Sequence, residues 1–277
     1  MLFSRETRKK LSALRRRPRA GSAGEPTAAP CPPEHQTVEP SEEPSQPARM
    51  PCLPGAPVPV EALFPGEAVE GELGVCYVVR PDLEGLCSSV AALRETLGRC
   101  AAPVARSDVA FIDIETLGLS SMPVFLVGLL RWRAGECSLI QVLARDYPEE
   151  APLLAEAVAA LQGAEALFSY NGASFDLPLL EERAIYHAVD WWLDAEHIDL
   201  LKPARRRFRG RFPDCKLQTL ETHLCGRRRE DDIPGAEIPR RYHDFVRTGD
   251  ARLLETVIRH NQLDLVTLAE LVPHCLD

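Results

Sequence analysis

Between positions 108 and 170, apolar segments of strand length follow one another with short glycine-containing breaks, and this order is the strongest constraint on the fold. Residues 109–114, 124–131 and 138–143 read as strands, residues 153–161 as a helix, and residues 166–170 as a further buried strand. Three successive strands, then helix, strand and helix, predict an α/β fold with a mixed β-sheet flanked by helices. Beyond Leu177 the pattern is mostly helical, with basic and proline-rich interruptions. Hydrophobic residues at 45% and charged residues at 26% place the chain with globular proteins. Its longest apolar run, residues 124–130, is far shorter than the roughly 20 residues a membrane-spanning helix needs, so no membrane span is expected.

Three parts are expected along the chain. Residues 1–19 hold eight Lys and Arg against one acid, Glu6, so this head carries +7 while the whole chain carries −9. Twelve of the 24 prolines fall between Pro18 and Pro59, a composition that buries too little apolar area to order itself, so residues 1–59 are read as a disordered basic and proline-rich tail. The basic head reads equally as a solvated tail or as a short helix that touches nucleic acid, an anionic surface or a partner. Residues 60–107 form a small lead-in, with a turn at Gly71 and Gly74, a strand over 75–79 and a helix over 83–97, and residues 108–277 form the main domain. The basic amino terminus lacks the apolar stretch of a secretory signal, which predicts a cytoplasmic protein. Nine cysteines, an odd number with no C-x-x-C pair, read as packing residues in a reducing compartment.

Three segments carry chemistry. In Phe111-Ile112-Asp113-Ile114-Glu115-Thr116, residues two apart on a strand share a face, so Asp113 and Glu115 emerge side by side from an apolar run. No Lys or Arg lies nearby in sequence, which makes a hard cation the natural counter-charge; an exposed strand end with incidental acids remains open. In Tyr170-Asn171-Gly172-Ala173-Ser174-Phe175-Asp176, a strand ends in an Asn-Gly turn and a helix begins near Ser174. Asp176 then lies in a first helical turn, where the helix dipole alone can account for it. In His260-Asn261-Gln262-Leu263-Asp264, helical spacing of four puts His260 and Asp264 on one face.

Taken in order, D-x-E-T, N-G-x-x-F-D and H-N-x-x-D resemble the three exonuclease motifs of the DnaQ-like DEDD superfamily, which has an RNase H-like fold, and more narrowly the YprB-type RNase H-like domain. Supporting matches are Pro123-Val124-Phe125-Leu126-Val127-Gly128, His197-Ile198-Asp199-Leu200-Leu201 and the Glu230-Asp231-Asp232-Ile233-Pro234-Gly235 segment, and the resemblance spans residues 75–271. It implies that Asp113, Glu115, Asp176 and Asp264 bind two divalent cations, Mg²⁺ or Mn²⁺. It implies that His260 positions or activates the attacking water, and that Thr116, Leu119 and Asn171 contact substrate. The interval of four from His260 to Asp264 is that of the superfamily's tyrosine branch, and Leu117 stands where many relatives carry a second Thr. Four carboxylates around one centre repel by about 4 kcal/mol per pair at ~4 Å and an effective dielectric near 20, a sum that two divalent cations cancel. A neutral imidazole is suited to accept a proton from water near pH 7.

An acidic centre repels a polyanion, so a cationic segment must attract it. Lys202-Pro203-Ala204-Arg205-Arg206-Arg207-Phe208-Arg209-Gly210-Arg211 supplies six cations in ten residues, with Arg205, Arg206 and Arg207 as substrate-binding residues and Phe208 as a ring to stack on a base. Arg227, Arg228 and Arg229 either extend this surface or pair with Glu230, Asp231 and Asp232. His197 and Asp199 either support the acidic centre or satisfy the fold. The expected function is metal-dependent hydrolysis of DNA or RNA, most simply as a 3′→5′ exonuclease, against a non-catalytic nucleic-acid-binding or protein-interaction module and a structure-specific endonuclease.

Overall fold

The computed structural model describes residues 55–86, 90–99, 108–118 and 121–276, all within one compact unit. Most of the expected tail, residues 1–54, lies outside the described residues. In chain order the elements are α1 (Val60–Leu63), β1 (Gly66–Gly71), β2 (Gly74–Val79), α2 (Val90–Arg99), β3 (Asp108–Thr116), β4 (Val124–Arg133), β5 (Glu136–Leu143), α3 (Glu150–Leu161), β6 (Ala166–Ser169), α4 (Asp176–Tyr186), β7 (Glu196–Asp199), α5 (Leu201–Phe208), α6 (Leu217–Leu220), α7 (Ile238–Thr248) and α8 (Glu255–Leu276). Short 3₁₀ turns and one π-helical turn, Glu221–Cys225, fill the connections.

The seven strands form one mixed sheet in the order β1-β2-β5-β4-β3-β6-β7. Pairing is antiparallel from β1 through β3 and parallel from β3 to β6 and β7. Burial explains the central strands: residues 109–112 of β3 and 124–130 of β4 are covered on both faces, so they read as apolar runs rather than alternating ones. Helix α8 supplies much of that cover, and Leu265, Val266, Leu268, Ala269, Leu271 and Val272 join the core formed around Phe111 and Phe168. Those two rings stack at 5.1 Å across the β3–β6 pair.

The structure moves several boundaries read from sequence. Strand β4 runs two residues further than its pattern, and β5 starts two residues earlier, because Ala134 (φ 52°) and Gly135 (φ 86°) close a tight hairpin in left-handed conformations. Strand β3 continues to Thr116 because pairing with β4 survives a register shift between Glu115 and Thr116. The lead-in strand at 74–79 pairs with β5, so the β1–β2 hairpin is the edge of the main sheet. That partner is about 65 residues away in sequence and no local pattern announces it. Among the described residues, no helix is long and apolar enough to cross a membrane, and Cys76, Cys137, Cys215, Cys225 and Cys275 are free thiols.

Candidate active site

Four carboxylates from three separate segments face one another beside the sheet. Asp113 and Glu115 sit on the last half of β3, opposite Gly128 and Leu126 of β4. Asp176 opens α4, and its carboxylate accepts hydrogen bonds from its own amide and from that of Ile114, between the two β3 acids. Asp264 lies in the middle of α8. Glu115 and Asp176 are only 8% and 7% exposed. Burial, and then repulsion from Asp264, Glu115 and Asp176, push the Asp113 carboxyl well above the ordinary range. Glu115 is pushed up by burial, Asp264, Asp176 and Asp232. Burial raises Asp176 to about 7 against the pull of its backbone hydrogen bonds, with Asp199 and Asp264 adding to the rise.

The loop that delivers Asp176 is held by Asp199, at the end of β7. Its Oδ1 accepts from the amides of Asn171 and Leu201, both at 2.9 Å, and its Oδ2 from Ala173 at 3.1 Å. Asn171 adopts φ 66°, a conformation that Asn tolerates better than most residues. At Gly172, a Cβ would stand 2.4 Å from the Ser169 hydroxyl and 3.2 Å from an Asp176 carboxylate oxygen, so only glycine permits this approach. Helix α4 therefore begins at Asp176, two residues later than its sequence pattern, once the turn is complete. Ser169 in turn meets His197 Nε2 at 2.8 Å, so His197 satisfies the loop beside the acids.

A buried polar row fixes Asp113 from below. Gly128 pairs with Asp113 on one side and Gln141 on the other, and α8 crosses over this glycine. Asn261 Nδ2 donates to Asp113 Oδ2 at 2.8 Å and to the Asp113 carbonyl at 3.2 Å. Gln141 Nε2 donates to Asn261 Oδ1 at 2.8 Å, while Gln262 Nε2 donates to Gln141 Oε1 at 2.7 Å. Each amide is satisfied, which makes this a network that holds one arrangement of Asp113. A Cβ on Gly128 would meet Asn261 Oδ1 at 2.0 Å. Gly128→Ala should therefore cost about 1–3 kcal/mol by urea unfolding, with part of the loss recovered when Asn261→Ser is added; additive losses would show that the two residues do not meet. The roles of Asn261 and Gln141 escape a reading of charge and spacing, although Asn261 lies inside the third motif.

A basic residue also belongs to this site. Arg229, whose side chain is 5% exposed, donates to Asp264 Oδ1 at 2.5 Å and Glu221 Oε2 at 2.6 Å, and meets Asp232 at 3.3 Å. Arg227 pairs with Glu221 and with both oxygens of Glu270. These two arginines are thus consumed by buried acids and do not extend a nucleic-acid surface, whereas Arg228 is exposed. His260 bridges the same group: Nδ1 lies 2.7 Å from Asp232 Oδ1 and Nε2 lies 3.4 Å from Asp264 Oδ2. Asp232 is a fifth acid of the centre.

The remaining expected residues fall as follows. The Thr116 hydroxyl folds back onto the Gly118 carbonyl at 2.6 Å. Leu119 lies outside the described residues. Asn171 has an exposed side chain at the mouth of the loop, and Arg205, Arg206 and Arg207 are exposed on α5. Phe208 corrects its expectation: it is 4% exposed, packed on the inner face of α5 with Leu201, Pro203 and Ala204, and offers no ring to a base. Among the described residues, no group of three or more His, Cys, Asp or Glu side chains is gathered closely enough, as it stands, to hold a metal ion.

Residues 110–276 match the RNase_H_2 family, described as RNase_H superfamily. The chain belongs to this family, and the mixed sheet flanked by helices is its RNase H-like fold. Among curated proteins, the uncharacterized protein YprB of Bacillus subtilis (strain 168) is 29% identical over 174 residues, covering 61% of this chain and 42% of that protein. Among solved structures, the family B DNA polymerase of the hyperthermophilic archaeon Pyrobaculum calidifontis gives a TM-score of 0.48 at 18% identity, over 62% of this chain and 25% of that one. E. coli exonuclease I in complex with a dT13 oligonucleotide gives 0.39 at 17% identity, over 61% and 42%. The chain spans less than half the length of each of these relatives.

Proposed function

We propose that this protein is a metal-dependent nuclease that hydrolyses phosphodiester bonds of DNA or RNA, acting from 3′ to 5′ as an exonuclease. The observation that carries this reading is the convergence of Asp113, Glu115, Asp176 and Asp264 on one site, where burial and then repulsion raise Asp113 and Glu115 and, of the four acids, Arg229 pairs with Asp264 alone among the described residues. Their oxygen-only donor set fits a hard divalent cation such as Mg²⁺ or Mn²⁺. When bound, a pair of such ions stabilises the charge that develops on the attacking and leaving oxygens of an in-line displacement. The protein's own part is to hold these acids in place through Asn261, Asp199 and Arg229. With Asp232 accepting from His260 Nδ1, the imidazole is held by its far nitrogen, and Nε2 is the atom that takes a proton from water. The exposed cations of α5, Arg205, Arg206 and Arg207 among them, draw the polyanion in, and Asn171, exposed at the mouth of the loop, contacts it.

The test is incubation of end-labelled single- and double-stranded DNA and RNA with the full chain and Mg²⁺ or Mn²⁺. Stepwise loss from free 3′ ends, stalling at blocked ones, and none with Asp113→Ala or with chelator is the expected result. Degradation by Asp113→Ala equal to the parent's overturns the reading, and cutting of blocked or circular strands replaces the exonuclease with an endonuclease. One observation favours a second reading: Arg229 already holds an Asp264 oxygen, and among the described residues no three donors stand gathered closely enough for an ion. Under it the protein binds nucleic acid without cutting it, and calorimetry with Mn²⁺ registers no uptake.

A further inference from the structure

We propose that the turn carrying His223 is a base-stacking subsite that selects single-stranded nucleic acid, fed by the cationic face of α5. This rests on the reading of the protein as acting on nucleic acid, and it names the strandedness of what is bound. The first observation is charge. Lys202, Arg205, Arg206, Arg207, Arg209 and Arg211 are all exposed, while Leu201, Pro203, Ala204 and Phe208 bury the opposite face and fix which way the cations point. Among the described residues none of the six forms an ion pair, in a chain of net charge −9 whose Arg227 and Arg229 are fully engaged by acids. An uncompensated cationic strip of this kind is complementary to a phosphate backbone.

The second observation is a column of rings beside that strip. After α5 the chain turns sharply: Gly210 takes φ 80°, the Arg211 amide donates to the Phe208 carbonyl at 2.9 Å, and Arg209 bridges to Phe212. This brings the Phe212 ring onto Phe208 at 5.7 Å. The His223 ring lies on Phe212 at 4.5 Å and only 8° from parallel. Cover falls along the column, from buried Phe208 through partly buried Phe212 to exposed His223. The stack thus ends in a flat ring at the surface, and a nucleobase is the flat group that the neighbouring phosphate-binding strip would bring to it.

The third observation ties this ring to the acidic centre. His223 sits on the π-helical turn Glu221–Cys225, a local irregularity of a kind frequent at functional sites. Two residues before it, Glu221 points inward, 1% exposed, and pairs with Arg229, which holds Asp264. One short turn therefore presents a carboxylate to the hydrolytic centre and a stacking ring to solvent. Bases in a duplex have their faces already covered by their neighbours, so such a ring gains only from a strand whose bases are free.

The test measures binding of the full chain in chelator, where hydrolysis is off, by fluorescence anisotropy with a single-stranded oligonucleotide and with a duplex hairpin. In the single strand, 2-aminopurine reports stacking through its quenching. His223→Ala should weaken single-strand binding at least about fivefold and relieve the quenching, with duplex binding unchanged and His223→Phe close to the parent. Arg205→Ala with Arg206→Ala should instead weaken both substrates and flatten the salt dependence by about one unit of slope per lost phosphate contact. Unchanged affinity and quenching in His223→Ala, or an equal loss on duplex, overturns the subsite while leaving the nuclease reading intact. A parent chain that binds neither substrate overturns both.

Discussion

In chelator, the protein should unfold at progressively lower temperature as pH rises from about 4 to about 7, and saturating Mn²⁺ should remove that slope. The cause is the set of carboxyls that the fold holds above their ordinary range. Asp176 moves from 3.8 to about 7, and Asp113 and Glu115 are raised well above 3.8 and 4.5 by burial and by one another. Between the unfolded and folded values the native state binds more protons than the unfolded chain. The stability tied to these groups is therefore complete below about pH 4 and is lost as pH climbs through the folded values. Asp176 alone, across about three units, accounts for on the order of 4 kcal/mol. The depressed carboxyl of Asp250, held near 2 by Arg252, acts in the opposite sense but below pH 4. His197 and His274, whose burial lowers them, also act oppositely, and they cancel in the difference between the chelator and Mn²⁺ curves. Asp113→Asn should be more stable than the parent in chelator near pH 7, with a shallower slope and little response to Mn²⁺. Superimposed curves with and without Mn²⁺ for the parent chain would mean that the carboxylates hold no ion.

The acidic motifs were legible because their placement follows from short-range periodicity. Alternation on a strand sets Asp113 beside Glu115, an Asn-Gly turn delivers Asp176 to a first helical turn, and a spacing of four sets His260 over Asp264. The strand and helix order likewise carried the mixed sheet. What escaped depends on register and on distant partners. Gly128 reads as one residue of an apolar run until pairing puts it between Asp113 and Gln141 and beneath Asn261. Phe208 looks available beside three arginines until helical geometry turns it inward with Leu201 and Ala204. The absence of a cation near Asp113 and Glu115 is true along the chain and incomplete in space, because Arg229 approaches from 35 positions before Asp264. A run such as Arg227-Arg228-Arg229-Glu230-Asp231-Asp232 cannot announce that its first and third arginines turn inward to Glu221 while the second stays in solvent.

Arg229→Met should cost about 3–5 kcal/mol in chelator, measured by urea unfolding, because it removes one member of a buried ionic group and leaves the others charged. Glu221 keeps Arg227 and the Thr267 hydroxyl, but Asp264 loses the one arginine that pairs with it among the described residues and faces Asp113, Glu115 and Asp176, with His260 Nε2 3.4 Å away. Arg229→Lys should recover little, since one ammonium cannot span three carboxylates that the planar guanidinium reaches together. Two additions should restore stability by separate routes. Asp264→Asn in the Arg229→Met background removes the uncompensated charge, and Mn²⁺ in the single variant supplies a cation in place of the guanidinium. The second route makes Mn²⁺ stabilise Arg229→Met by more than it stabilises the parent chain, because the same ion then neutralises a larger excess of negative charge. A loss below about 1 kcal/mol, or equal stabilisation of variant and parent by Mn²⁺, would place Arg229 outside the electrostatics of the site.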